Sequence, residues 1–99
     1  MNIIDGLNKA FDSRVRLGIM SMLMVNEWVD FSTIKKELNL TDGNLSTHIL
    51  AIEKEKYITV KKQFINKKPN TSYTITRAGE KAFKAHIAAL EEIIRKSLE

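Results

Sequence analysis

TDGNLSTHILAIEKEKYITV, residues 41–60, changes its hydrophobic period once, and that change decides the fold. Thr41 offers a hydroxyl to cap a helix start. From there Leu45, Ile49 and Ile52 recur at intervals of four and three, which at about 100° per residue is a single stripe. Past Lys56 the helical spacing stops. Tyr57, Ile58, Thr59, Val60, Lys61, Lys62, Gln63 and Phe64 form a run rich in β-branched and aromatic side chains, which suits a half-buried strand. A helix over 42–55 therefore runs into a strand over 57–64.

Working outward, Asn66, Pro69 and Asn70 mark residues 65–70 as a turn, and residues 72–76 make the return strand of a hairpin. Thr76 caps a last helix over 77–97, with Glu80 in the first turn, where the helix dipole favours an acid. Upstream, Asn39 and Leu40 read as a tight turn, and Ser32 as the cap of a short helix over 33–38, with Ile34 and Leu38 on one face. Trp28 to Phe31 reads as an extended link. Ser13 caps a helix that ends at Val25 and carries Val15, Leu17, Ile19, Met22 and Leu23; residues 5–10 suggest a short helix before it. There is no internal repeat, no low-complexity tract and no linker, so residues 1–99 read as one domain. The expected fold is mainly α with a small β-hairpin. It is a winged helix-turn-helix, a three-helix core plus wing, with the helix-turn-helix at about 32–55, the wing at about 57–76 and a long C-terminal dimerisation helix.

Two short helices joined by a few residues are the arrangement that lays a second helix in the major groove of DNA. On the helix from Asp42, the residues Gly43, Asn44 and Thr47 point away from the apolar stripe, with Ser46 and His48 flanking. Asn, Ser and Thr can bond base edges or phosphates, and small residues let the backbone come close. The same residue types also gather at helix starts simply because they cap. The hairpin adds Lys61, Lys62, Lys67 and Lys68, with Arg77 just beyond. Cations so placed displace the counterions condensed on phosphates, although lysines also protect a hairpin edge. Residues 54–84 hold nine Lys/Arg against two acids, a local +7 in a chain of net charge +4. A directed basic surface of this kind suits a polyanion.

The stretch from Thr41 through Ile49, then Leu50 to Ile58, resembles the reading helix and first wing strand of MarR/ArsR-type winged-helix regulators. Tyr73-Thr74-Ile75-Thr76-Arg77-Ala78-Gly79-Glu80-Lys81-Ala82-Phe83 resembles the second wing strand and the helix after it, and the likeness covers about residues 13–83. The resemblance implies a transcriptional regulator of double-stranded DNA. Asn44, Ser46, Thr47 and His48 would contact DNA, and the wing lysines would grip the backbone.

Along the last helix Phe83, Ile87, Leu90 and Ile94 step by four, three and four, a heptad-like seam longer than one domain needs. Ile3, Ile4, Leu7 and Phe11 are also short of local partners. Pairing the two ends between subunits makes a homodimer whose interface is Ile3, Ile4, Leu7, Phe11, Ile87, Leu90 and Ile94. Catalysis is not expected: His48 and His86 lie on separate helices, and no nucleophile, metal-ligand or Gly-rich phosphate spacing stands out. No cofactor is implied. The lack of cysteine excludes thiolate metal sensing but not a small-molecule effector between the dimer helices. The rival readings are a winged helix that binds protein, and an RNA binder. The latter lacks a stacking platform, because Phe64 and Tyr73 read as structural. No apolar run approaches membrane-spanning length and the start lacks a secretory pattern, so a cytoplasmic protein is expected.

Overall fold

A computed structural model of the chain describes residues 2–99; Met1, the first residue of the start read for a secretory pattern, lies outside them. The element order is α1 (Arg14–Val25), β1 (Val29–Asp30), α2 (Phe31–Leu38), α3 (Asp42–Lys54), β2 (Ile58–Ile65), β3 (Lys68–Ile75) and α4 (Arg77–Ser97). The strands form one antiparallel sheet in the order β1-β3-β2. This is a mainly helical winged helix-turn-helix.

Side-chain caps set most of the boundaries. The Ser13 hydroxyl accepts from the N–H groups of Val15 and Arg16, Thr41 from that of Asn44, and Thr76 from that of Gly79. The second helix starts earlier than expected, because Asp30 and not Ser32 is its cap: the carboxylate accepts from Thr33 N–H at 2.8 Å. The Thr33 hydroxyl first, and that backbone bond second, hold the Asp30 carboxyl below its ordinary pKa. Asn39 and Lys56 take left-handed conformations (φ 52° and 63°) where α2 and α3 stop. In both places two successive N–H groups turn back on the helix: Asn39 to Lys36 and Leu40 to Lys35, then Lys56 to Glu53 and Tyr57 to Ile52. These paired bonds satisfy carbonyls that a helix end leaves open.

Two further expectations need correction. Residues 5–10 are not a helix; the segment is a series of turns closed by a 3₁₀ turn, Lys9–Phe11, which Asn8 caps. The hairpin loop is far shorter than residues 65–70. Ile65 pairs with Lys68 and only Asn66 and Lys67 turn, both left-handed (φ 51° and 65°), the tight primed turn whose twist matches the strands. Pro69 stands inside β3 opposite Phe64. It is tolerated because β1 reaches only Tyr73 and Ser72, so β3 is an edge strand at Pro69.

Phe11, Ile19, Met20, Leu23, Ile34, Leu45 and Ile52 are fully buried, with Ile49, Ile58, Tyr73 and Phe83 around them. Phe11 does not take its expected place at a dimer interface. It lies inside the core of its own chain, with ring centroids 5.3 Å from Tyr57 and 5.3 Å from Phe83. A phenylalanine here stabilises by about 1.5–3 kcal/mol through burial alone, so the turns before α1 serve to deliver it. His86 locks the same segment. Its Nδ1 accepts the Asn8 N–H at 2.9 Å, while Asn8 Nδ2 donates to the Tyr57 hydroxyl at 3.1 Å.

The root of the hairpin is clamped against α4. Thr76 N–H donates to the Tyr57 carbonyl at 2.9 Å and the Thr76 hydroxyl to that of Lys56 at 2.8 Å. Gly79 faces the same Tyr57 carbonyl so closely that any Cβ would overlap its oxygen.

Candidate nucleic-acid interface

Helix α3 presents two unlike faces. Leu45, Ile49 and Ile52 are sealed in the core, while Asp42, Gly43, Asn44, Ser46 and Thr47 are exposed. Nothing stands within 4 Å of where a Gly43 Cβ would be, so this edge of the backbone is bare. The Thr47 hydroxyl donates back to the Gly43 carbonyl at 2.9 Å, which leaves its lone pairs outward as acceptors. The Asn44 side chain is exposed, with its backbone N–H taken by Thr41 at 3.2 Å. Leu50 is also exposed, further along the helix.

Two partners of this helix have no signal in the sequence. Asp42 forms an ion pair with Lys35 of α2 at 2.8 Å, so the acid at the helix start is matched by a neighbouring cation. Both side chains are solvent-accessible, so the pair moderates local charge more than it adds stability. His48 is half-buried and its Nδ1 accepts from Arg16 Nε at 3.1 Å; Arg16 also reaches the Ala10 carbonyl. Burial first, and the Arg16 charge second, push the His48 pKa below its ordinary value. The ring is thus neutral at neutral pH and, with Nδ1 accepting, carries its proton on Nε2 as a donor. Both partners cross between elements, joined only by tertiary packing that periodicity does not encode.

The cations on the hairpin divide into two groups. Lys61 lies against the indole of Trp28, its Nζ 4.2 Å from the ring centroid, and is half-buried. Lys62, Lys67, Lys68 and Arg77 are different. All four are exposed, and none enters an ion pair among the described residues. Phe64 does not play the structural part expected of it: it is 76% exposed near the tip, whereas Tyr73 is buried.

Of the residues expected at a dimer interface other than Phe11, Ile3, Ile4 and Ile94 are exposed, while Leu7, Ile87 and Leu90 are half-buried. An open trough between α1 and α4, lined by Met24, Phe83, Ile87 and Ala88 among others, leaves apolar surface uncovered. Among the described residues no cluster of His, Asp or Glu could hold a metal ion, and no helix is long and apolar enough to cross a membrane.

A sealed helix-turn-helix followed by a cationic hairpin is the architecture of a nucleic-acid-binding class of protein. The family model for the winged helix DNA-binding domain matches residues 15–94, and the chain belongs to that family. It is 39% identical over 79 residues to an uncharacterized protein of Methanocaldococcus jannaschii, covering 80% of this chain and 86% of the other. The solved structure of a transcriptional regulator homologue from Pyrococcus horikoshii superposes with a TM-score of 0.80 at 34% identity, covering 95% of this chain and 91% of that one. An ArsR family transcriptional regulator shares the fold at a TM-score of 0.65 and 18% identity, covering 95% and 98%. The sequence resemblance to MarR/ArsR-type regulators thus agrees with the family and the fold.

Proposed function

We propose that the chain is a homodimeric transcriptional repressor that binds double-stranded DNA selectively by sequence. The supporting observation is the exposed edge of α3, small and hydrogen-bonding at Gly43, Asn44, Ser46 and Thr47, followed in the fold by a hairpin whose cations enter no ion pair among the described residues. In this reading α3 enters the major groove. Asn44, Ser46, Thr47 and the Nε2 of His48 meet base edges or nearby phosphates, and Asp42 stays neutralised by Lys35. Lys62, Lys67, Lys68 and Arg77 hold the backbone on either side. Lys61, seated on Trp28, contributes mainly long-range field.

Pairing rests on the apolar surface left over. Ile3, Ile4 and Ile94 are exposed and the trough beside Ile87 is open, while Leu7 and Leu90 are half-buried. A two-fold pair sets the reading helices about 34 Å apart, for half-sites one DNA turn apart. With DNA on one side and a second copy on another, the described surface is occupied in blocking a site, which favours repression over recruitment. No effector is assigned.

The test is a salt titration of duplex binding by the unaltered protein and by K67Q/K68Q. Each lysine withdrawn from a phosphate lowers the slope of log affinity against log salt by about 0.9, so the double change removes about 1.8 per subunit. Unchanged affinity and slope would refute the wing assignment. Salt-insensitive capture of a protein, with no duplex bound, would instead favour the interaction-module reading.

A further inference from the structure

Helix α3 turns one aliphatic side chain outward. At about 100° per residue, Gly43, Thr47, Leu50 and Lys54 fall within about 60° of one another, on the side away from Leu45, Ile49 and Ile52. Gly43 offers bare backbone to a polar ligand, Thr47 a hydroxyl and Lys54 an exposed ammonium that enters no ion pair among the described residues. Leu50 offers none of these. It is 64% exposed and takes no part in the packing that holds α3 to the core. Ser46, one turn before it, is exposed and polar, so the isobutyl group stands alone on this side of the helix.

A lone leucine is too small to seat a protein, whose docking patches join roughly several hundred Å² of apolar surface. On a duplex the choice is narrow. The major groove is lined with donors and acceptors, and the apolar group it presents is the C5-methyl of thymine. An aliphatic side chain over a purine edge or the cytosine amino group would strip water from polar atoms and return no hydrogen bond. The thymine methyl also lies on the pyrimidine edge nearest its own backbone, toward the side of the groove. Leu50 is placed for such an edge. It stands about 4.5 Å beyond Thr47 along the helix, more than one base-pair step of about 3.4 Å, and Lys54 follows one turn later as a cation for the phosphates beyond.

We propose that Leu50 is a specificity-determining residue of α3 that packs on the C5-methyl of a thymine in each half-site. The proposal rests on the duplex-binding reading above. It adds one required base, read by shape and exclusion of water and not by hydrogen bonds or charge.

The experiment starts from duplexes that the unaltered chain selects out of a random pool. Each thymine is replaced in turn by uracil, which removes only the methyl, and the affinities of the unaltered chain, L50A and L50V are compared. Thermal melting and light scattering run in parallel. Because the side chain is exposed and alanine suits a helix, L50A keeps the melting midpoint and the oligomeric mass. At one thymine per half-site, uracil lowers the affinity of the unaltered chain about fourfold, equivalent to about 0.8 kcal/mol. L50A binds the thymine duplex more weakly by at least that factor, keeps the salt slope and no longer distinguishes uracil at that position. L50V shows a smaller difference than the unaltered chain. If no thymine gives this effect, or if L50A and L50V stay as sensitive to uracil as the unaltered chain at every position, Leu50 does not read the methyl and only this proposal falls. A drop in mass on L50A would make Leu50 a subunit contact, with the same consequence. An unaltered chain that selects no duplex removes the underlying reading as well.

Discussion

Gly79→Ala tests whether the junction between the hairpin and α4 is as tight as it looks. A Cβ at Gly79 would overlap the Tyr57 carbonyl oxygen outright, and lie 2.9 Å from the carbonyl carbon and 3.0 Å from Ile75 Cγ1. The obstacle is backbone, so no rotamer relieves it, and α4 must lift by about 1 Å to restore ordinary contact. Overpacking of this kind costs about 1–3 kcal/mol. Lifting also strains the two hydrogen bonds at the junction, Thr76 N–H to Tyr57 and Thr76 hydroxyl to Lys56, each contributing about 1 kcal/mol. Against this, alanine in place of glycine in a helix gains about 0.5–1 kcal/mol. The expected net loss is about 2–4 kcal/mol, a large share of the roughly 5–15 kcal/mol that holds a domain together. Urea unfolding followed by far-ultraviolet circular dichroism measures it as a lower midpoint at unchanged slope. A stability within about 0.5 kcal/mol of the parent would mean that the junction yields freely.

Two further outcomes follow from other parts of the structure. Gly43→Ala meets only open space, so the fold should gain about 0.5–1 kcal/mol in urea; duplex affinity should fall, because the methyl stands where the backbone approaches the groove, and a gain in both measurements would count against α3 as the reader. Burial pushes the His86 pKa below its ordinary value, with Asp12 opposing, so the neutral ring that accepts from Asn8 stabilises the fold above about pH 6.5 and that stability is lost as pH falls through the depressed value. His48 acts in the same direction. Urea midpoints at pH 7.5 and 5 should therefore differ, and less so in His86→Leu; an identical drop in that variant would move the effect elsewhere.

Which features are readable in the chain follows from their range. The α3 stripe, its Thr41 cap and the change of period at Lys56 are local, and all three stand as read, as do Ser13 and Thr76 at their helix starts. Errors gather where two local signals compete. Asp30 and Ser32 can each cap a helix, and only the pairing of Val29 with Tyr73 shows that the strand ends in time for Asp30 to do it. Pro69 and two asparagines mimic a long loop, whereas strand register confines the turn to Asn66 and Lys67. Phe11 reads as a residue without partners because its aromatic partners are distant in sequence: Tyr57, Phe83 and His86. The exposed polar edge of α3 is legible, but the supports behind it, Arg16 on His48 and Lys35 on Asp42, come from other helices.

Helix α4 spans 21 residues, about 31 Å, beside a body only 26 and 21 Å across in its shorter dimensions. Its base rests on the Tyr57 carbonyl, at the point where β2 begins. Such a rod is a lever whose fulcrum lies at the root of the hairpin, and a tilt of about 10° carries its far end about 5 Å. In the proposed pair, a second copy gripping the far end would act on the angle of the lysine-tipped arm, and the span between two such arms would be set a full helix length away from them.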